Sequence, residues 1–173
     1  MIAFFSANPW PFRQPQPYLP YGPQTYVPVT NVTEGGWVKC HNHTFSNPLS
    51  NDKVDLIREK CTGDKVLMAC RPKQRRIPGL DDDRNPEQLT VLAWADREIV
   101  FGLSNGIVAQ GTKFKGTLQR WSFTSAANPK DDWGTTTLKM NIAGDYTTFC
   151  CGDDWCPVPP LQPFWEALFY HSS

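Results

Sequence analysis

CTGDKVLMACRP at residues 61–72 and LTVLAWADREIVF at residues 89–101 are the two halves of the stretch on which the fold turns. Residues 65–71 are a short apolar run. Thr62-Gly63-Asp64 bounds it on one side and Pro72 on the other. A run this short between turn residues reads as a buried strand. Its side chains alternate, with Val66, Met68 and Cys70 on one face and Leu67, Ala69 and Arg71 on the other. Residues 89–95 form a second run, in which Leu89, Val91 and Ala93 alternate with Thr90, Leu92 and Trp94. Residues 98–101 read as a third strand after the polar corner Asp96-Arg97. Both faces of the first two strands are apolar, which predicts central positions in a sheet covered on both sides. The connection between them, residues 73–87, carries Lys73, Arg75 and Arg76, then Asp81, Asp82 and Asp83. Pro78-Gly79 and Asn85-Pro86 punctuate it. It reads as a solvated loop, or as a docking loop with separate basic and acidic halves.

Upstream, residues 52–61 read as the one convincing helix. Val54, Ile57 and Cys61 form an apolar stripe, Ser50 or Asn51 caps it, and Gly63 ends it. Residues 37–41 start the globular domain as a strand. Downstream the chain is β-rich and punctuated by glycine. Residues 119–124 and 135–142 alternate as strands, 146–151 forms a hairpin with the latter, and 164–170 closes the chain as a final strand. About eight strands at this spacing predict a mainly β protein, a single sandwich-like domain over residues 35–173.

Residues 1–34 are a different material, expected to be an extended arm. Seven prolines before residue 30 are interleaved with Phe4, Phe5, Trp10, Phe12, Tyr18, Tyr21 and Tyr26. Proline restricts the chain to extended conformations. Disordered tails are poor in aromatics, so aromatics along an extended chain read as anchors for partner pockets. The expected partner-binding set is these seven aromatics with Arg75 and Arg76.

The 173 residues carry balanced charge and suit one domain with an appendage. That balance argues against a nucleic-acid-coating protein. No run approaches the ~20 apolar residues of a membrane span, and residues 1–7 lack the features of a signal peptide. The chain is therefore expected in the cytoplasm, with a cilium or the cytoskeleton as a possible address, and secreted only if a precursor segment has been removed. Of the six cysteines, Cys40, Cys61, Cys70, Cys150, Cys151 and Cys156, reduced thiols are then the default. If all were oxidised, 15 pairings would be open.

Chemistry is sparsely signalled. Cys40, His43, Cys151 and Cys156 offer a loose zinc set, against the plainer reading of core cysteines. The pairs Asp81–Asp83, Asp131-Asp132 and Asp153-Asp154 lie in turn sequences, where Asp is common for backbone reasons. No serine sits in a nucleophile elbow and no glycine-rich phosphate loop opens a helix. Neither catalysis nor a cofactor is expected. Asn31-Val-Thr33 and Asn42-His-Thr44 match the glycosylation sequon, which matters only in a secreted protein.

The pattern CTGDKVLMACRP, LTVLAWADREIVF and a terminal strand with Trp165-Glu166 resembles a small β domain of secreted bacterial and protist proteins, over residues 37–170. The arm is similar in style to those of ciliary microtubule inner proteins and of viral cement proteins. This second resemblance implies a non-catalytic structural component of a large assembly, docked by its domain and stapled by its arm to protein neighbours such as tubulin or a capsid-like lattice. Two alternatives are a secreted carbohydrate-binding β-sandwich with Trp side chains stacked on sugars, and a small metal- or carboxylate-dependent hydrolase.

Overall fold

The computed structural model of the chain describes residues 16–21, 24–44, 46, 51–78, 84–101, 112–117, 120–125, 138–141 and 163–173. The protein is mainly β. The order of elements is β1 (Gln24–Pro28), α1 (Val29–Glu34), β2 (Val38–Thr44), α2 (Asn51–Lys60), β3 (Lys65–Pro72), β4 (Gln88–Asp96), α3 (Arg97–Val100), β5 (Thr112–Thr117), β6 (Arg120–Ser125), β7 (Leu138–Asn141) and β8 (Trp165–Ser172). A five-stranded antiparallel sheet runs β1-β4-β3-β8-β2, and a three-stranded one runs β5-β6-β7.

β3 lies at the centre of the larger sheet. Val66 through Cys70 are all buried, so the expectation of a central strand covered on both sides holds. Val66, Met68 and Cys70 face one core with Ala95, Ala167 and Phe169. That core is closed by Ile57 and Cys61 around α2 and by Ile99, Val100 and Phe101 at α3. Leu67 and Ala69 face the other core with Leu89, Val91, Leu168 and Tyr170, and Val27, Val32, Trp37 and Trp94 close it. A helix-bearing layer thus covers each face of the sheet.

Three readings of the sequence are corrected. Residues 98–101 are not a third strand. Arg97–Val100 forms a helical turn, whose Arg97 side chain donates to the carbonyls of Cys61 at 2.8 Å and Arg58 at 2.9 Å. Those contacts satisfy carbonyls at the C-terminal end of α2, where a helix leaves acceptors without partners. A four-residue apolar run carries too few positions to separate strand from helix by period. The alternation in β4 also fails at Leu92. Met68 pairs with Ala93 and Ala69 with Val91, so Leu92 is a bulge, and the extra residue moves Ala93 to the face opposite Val91.

The third correction concerns the arm. Residues 24–34 are part of the sheet domain: β1 pairs with β4, and α1 crosses from β1 at one edge to β2 at the other with Val32 fully buried. The expected boundary at residue 34 therefore cuts through the core. The sequence hides this because β1 is irregular. Tyr26 takes a left-handed conformation, φ 55°, beside a register shift between Gln24 and Val27, and no simple alternation survives it. Phe4, Phe5, Trp10 and Phe12 lie outside the described residues, as do Cys150, Cys151, Cys156, the 146–151 hairpin and the three Asp pairs.

Cys40 and Cys61 form a disulfide, Cα atoms 5.2 Å apart across 21 residues of sequence. Cys70 is disulfide-bonded too. Among the described residues no cysteine is free, which corrects the expectation of reduced thiols. A bulge explains the first bridge. Lys39 pairs with Tyr170 and His41 with Phe169, so Cys40 is the extra residue in β2. The bulge turns its sulfur under the sheet toward the end of α2.

Two outcomes follow from this packing. A chain beginning at residue 35 loses Val27 and Val32 from the second core, about 1.5–3 kcal/mol for each buried side chain out of a total of roughly 5–15. Thermal melting followed by circular dichroism should show a large loss of Tm or no cooperative transition, whereas an unchanged Tm would mean β1 and α1 are dispensable. Replacing Cys40 and Cys61 together by serine should remove about 3 kcal/mol through the opened loop, a Tm drop of roughly 6–12 °C for a chain of this size.

Candidate functional site

The segment before β1 is strapped to the sheet by its backbone. The Tyr18 N–H donates to the Gly35 carbonyl at 3.0 Å. The indole N–H of Trp37 donates to the Tyr18 carbonyl at 2.6 Å, and that of Trp94 donates to the Pro20 carbonyl at 3.2 Å. Gly35 must be glycine here, because a Cβ would collide with Tyr18 and with the Asn31 carbonyl. Tyr18 packs against the second core, and burial pushes its phenol up to about 12. The hydroxyl is buried with no hydrogen-bond partner among the described residues.

The expected partner-binding set therefore divides. Tyr18 faces inward. Tyr21 and Tyr26 stand out of the surface at 68% and 78% exposure, joined by Leu19 at 49%. Arg75 and Arg76 are exposed on the loop after β3, which the Arg84 N–H closes by donating to the Arg75 carbonyl at 2.9 Å.

A second constellation sits where β2 meets α2. His41 and His43, two residues apart in regularly paired β2, lie on the same side of the strand. His41 Nε2 and His43 Nδ1 lie 3.1 Å apart, one donating to the other according to tautomer. His43 stacks on Phe169 and His41 meets that ring edge-on. Burial lowers the pKa of His41, helped by the charges of Lys60 and Lys53. Burial, then His41 and Lys53, pushes His43 down to about 3. The ammonium groups of Lys53 and Lys60, which help lower these values, also oppose a further cation beside the two neutral imidazoles. Cys40 of the expected zinc set is taken up in the bridge to Cys61, and a disulfide sulfur is no thiolate ligand. Among the described residues no group of three or more His, Cys, Asp or Glu side chains is placed to hold a metal ion.

On the opposite face, Arg71 Nε donates to Glu166 Oε1 at 2.6 Å, and Asn42 Nδ2 donates to Glu166 Oε2 at 3.4 Å. The Glu166 residue is only 7% exposed. Arg71 also reaches the Pro86 carbonyl at 3.4 Å. A charge-assisted pair with additional hydrogen bonds is what keeps the buried Glu166 charge tolerable beside the half-buried Arg71. Sequence reading missed it, although a signal was present: each charge interrupts an apolar strand alone, and the two are opposite in sign.

Trp37, Trp94 and Trp165 are buried, so none of the three offers a ring face for stacking on a sugar. No helix among the described residues is long and apolar enough to cross a membrane. No protein-family model, curated protein or solved structure matches the chain.

The His43 environment sets a pH dependence. The unfolded chain takes up a proton here near the ordinary imidazole value of 6.5, and the folded protein resists it down to about 3. The unfolded state binds more protons throughout that window, so stability falls as pH drops from 6.5 toward 3. His43→Gln should flatten the dependence of Tm on pH below 6.5 relative to the parent chain. Parallel curves for the two proteins would show that His43 titrates normally.

Proposed function

We propose that this is a non-catalytic docking component of a protein assembly in an oxidising compartment. In this reading the disulfide-braced sheet presents a pinned aromatic strap to a protein neighbour. The observation that carries the reading is the bridge between Cys40 and Cys61, together with the oxidised Cys70. Disulfides persist at cell surfaces, on virions and in secreted proteins, and are rare in the cytosol. Among the assemblies expected from the sequence, this favours a virion shell or an extracellular layer over a microtubule lumen, which opens to the reducing cytosol. The burial of Trp37, Trp94 and Trp165 favours a protein partner over a carbohydrate.

The strap supports the docking part of the reading. Leu19, Tyr21 and Tyr26 are exposed on a backbone already held by Trp37, Trp94 and Gly35. Exposed aromatics on a fixed backbone lose little freedom on binding, and aromatic anchors contribute heavily at interfaces. Residues 1–15, with Phe4, Phe5, Trp10 and Phe12, extend the same aromatic pattern in sequence. The reading keeps the β-sandwich as its architecture. Register sets Phe114, Phe123 and Leu138 in one cross-strand row of the smaller sheet, and Gly116, Trp121 and Met140 in another.

The test is native copurification after chemical crosslinking, with alkylation of free thiols measured on the same sample. The full chain should recover a specific protein neighbour and show Cys40 and Cys61 unreactive. Tyr21→Ala with Tyr26→Ala should lower that recovery about tenfold or more, at ~1–2 kcal/mol per anchor, with an unchanged circular dichroism spectrum. Recovery equal to that of the parent chain would remove the strap from the interface, and reactive Cys40 and Cys61 in native material would remove the compartment.

A further inference from the structure

We infer that Asn31 is an acceptor for an N-linked glycan, a modification that rests on the oxidising-compartment reading above. Asn31-Val32-Thr33 lies on α1, the helix that crosses the second core from one sheet edge to the other. The helix is amphipathic at this point in a way that suits the modification. Val32 is fully buried and fixes the orientation, while Asn31 and Thr33 on either side are exposed. The Asn31 side chain makes no hydrogen bond within the described residues, so its amide nitrogen is open to solvent. Its backbone carbonyl is the group that the fold uses, accepting from the Gly35 N–H at 3.1 Å. The Thr33 hydroxyl donates to the Val29 and Thr30 carbonyls at 3.3 and 3.4 Å. Neither contact involves Asn31 Nδ2. A glycan on that nitrogen therefore leaves the packing and hydrogen bonding of α1 intact.

The second sequon is placed differently. Asn42 of Asn42-His43-Thr44 is exposed, but its Nδ2 donates to Glu166 Oε2, a carboxylate that also accepts from Arg71. The inference is accordingly made for Asn31. The donor is a lipid-pyrophosphate-linked oligosaccharide. The bond from Asn31 Nδ2 to the anomeric carbon forms as the bond from that carbon to the phosphate oxygen breaks. The lipid pyrophosphate leaves with the electron pair, and the amide gives up one proton. The glycan then projects from the side of the sheet opposite α2, shielding α1 and leaving the histidine corner bare.

The test carries the full chain through the secretory pathway of a eukaryotic cell behind a cleavable leader. Two readouts come from the same secreted sample: thiol alkylation, and site-resolved mass after release of glycans by a peptide amidase. The inference expects blocked thiols, a downward mass shift on amidase treatment, and conversion of Asn31 to Asp in its peptide. Thr33→Ala should abolish the modification at Asn31 with an unchanged Tm for the unglycosylated fold, and Thr33→Ser should retain it. Secreted protein with blocked thiols and an unmodified Asn31 overturns the inference while the compartment reading stands. Protein that is retained in the cell with reactive Cys40 and Cys61 overturns the compartment reading, and the inference with it.

Discussion

A strand buried on both faces cannot be stabilised by one neighbouring layer, and β3 is such a strand. From Val66 to Cys70 every side chain is inaccessible, so both faces of the sheet at its centre must be dry. Burying apolar surface is favourable only where something covers it. Two separate parts of the chain are recruited to do so: α2 with α3 on one face, and α1 with the Tyr18–Pro20 strap on the other. The ladders impose a second demand. β8, the last strand of the chain, lies between β3 and β2 and pairs with both. The sheet is therefore incomplete until the C-terminal strand inserts, a non-local closure of the kind that slows folding. The Cys40–Cys61 bridge bears on that step. It ties β2 to the end of α2, and so to the start of β3, independently of β8.

The three irregularities of the sheet all place something. The bulge at Cys40 brings a sulfur to Cys61. The bulge at Leu92 lets Val91 and Ala93 serve opposite cores. The shift in β1 accompanies the left-handed Tyr26 and turns that side chain outward at the sheet edge. A bulge changes which face a residue serves without ending the strand. The Arg71–Glu166 pair acts in the other direction, against slippage. It joins directly paired positions of β3 and β8. A one-residue slip of β8 would send Glu166 to the face opposite Arg71, parting a buried carboxylate from its charged partner.

How much of this was legible follows from the same physics. β3, β4, α2 and β8 were readable because each is an apolar run with turn residues at its ends, or carries a clean helical stripe. Their burial also follows directly from their composition. The Ala93 phase was not, because alternation assumes no bulge and nothing in QLTVLAWAD marks Leu92 as the extra residue. β1 was obscured by Pro23, Pro28 and the left-handed Tyr26, so a strand and its helix were assigned to an arm. The disulfide was open among many pairings, since Cys40 and Cys61 are adjacent only through a bulge and the return of α2. Of the expected binding residues, Tyr21 and Tyr26 are at the surface while Tyr18 is inward. Sequence spacing along an irregular segment carries no facing information, which only a fixed period supplies.

The inward turn of Tyr18 changes what the exposed aromatics can do. An arm free in solution must lose conformational freedom for every residue it orders on a partner, roughly 1–2 kcal/mol per residue. Here part of that ordering is already done within the fold. Two tryptophan indoles hold the carbonyls of Tyr18 and Pro20, and Gly35 admits the Tyr18 backbone at a distance no other residue allows. Leu19 and Tyr21 therefore project from a backbone fixed on both sides, and Tyr26 from a strand paired with β4. The same contacts that seal the second core orient the exposed side chains. Loosening the core at Trp37 or Trp94 would then weaken docking without touching the docking surface, which makes folding and recognition in this segment one coupled equilibrium.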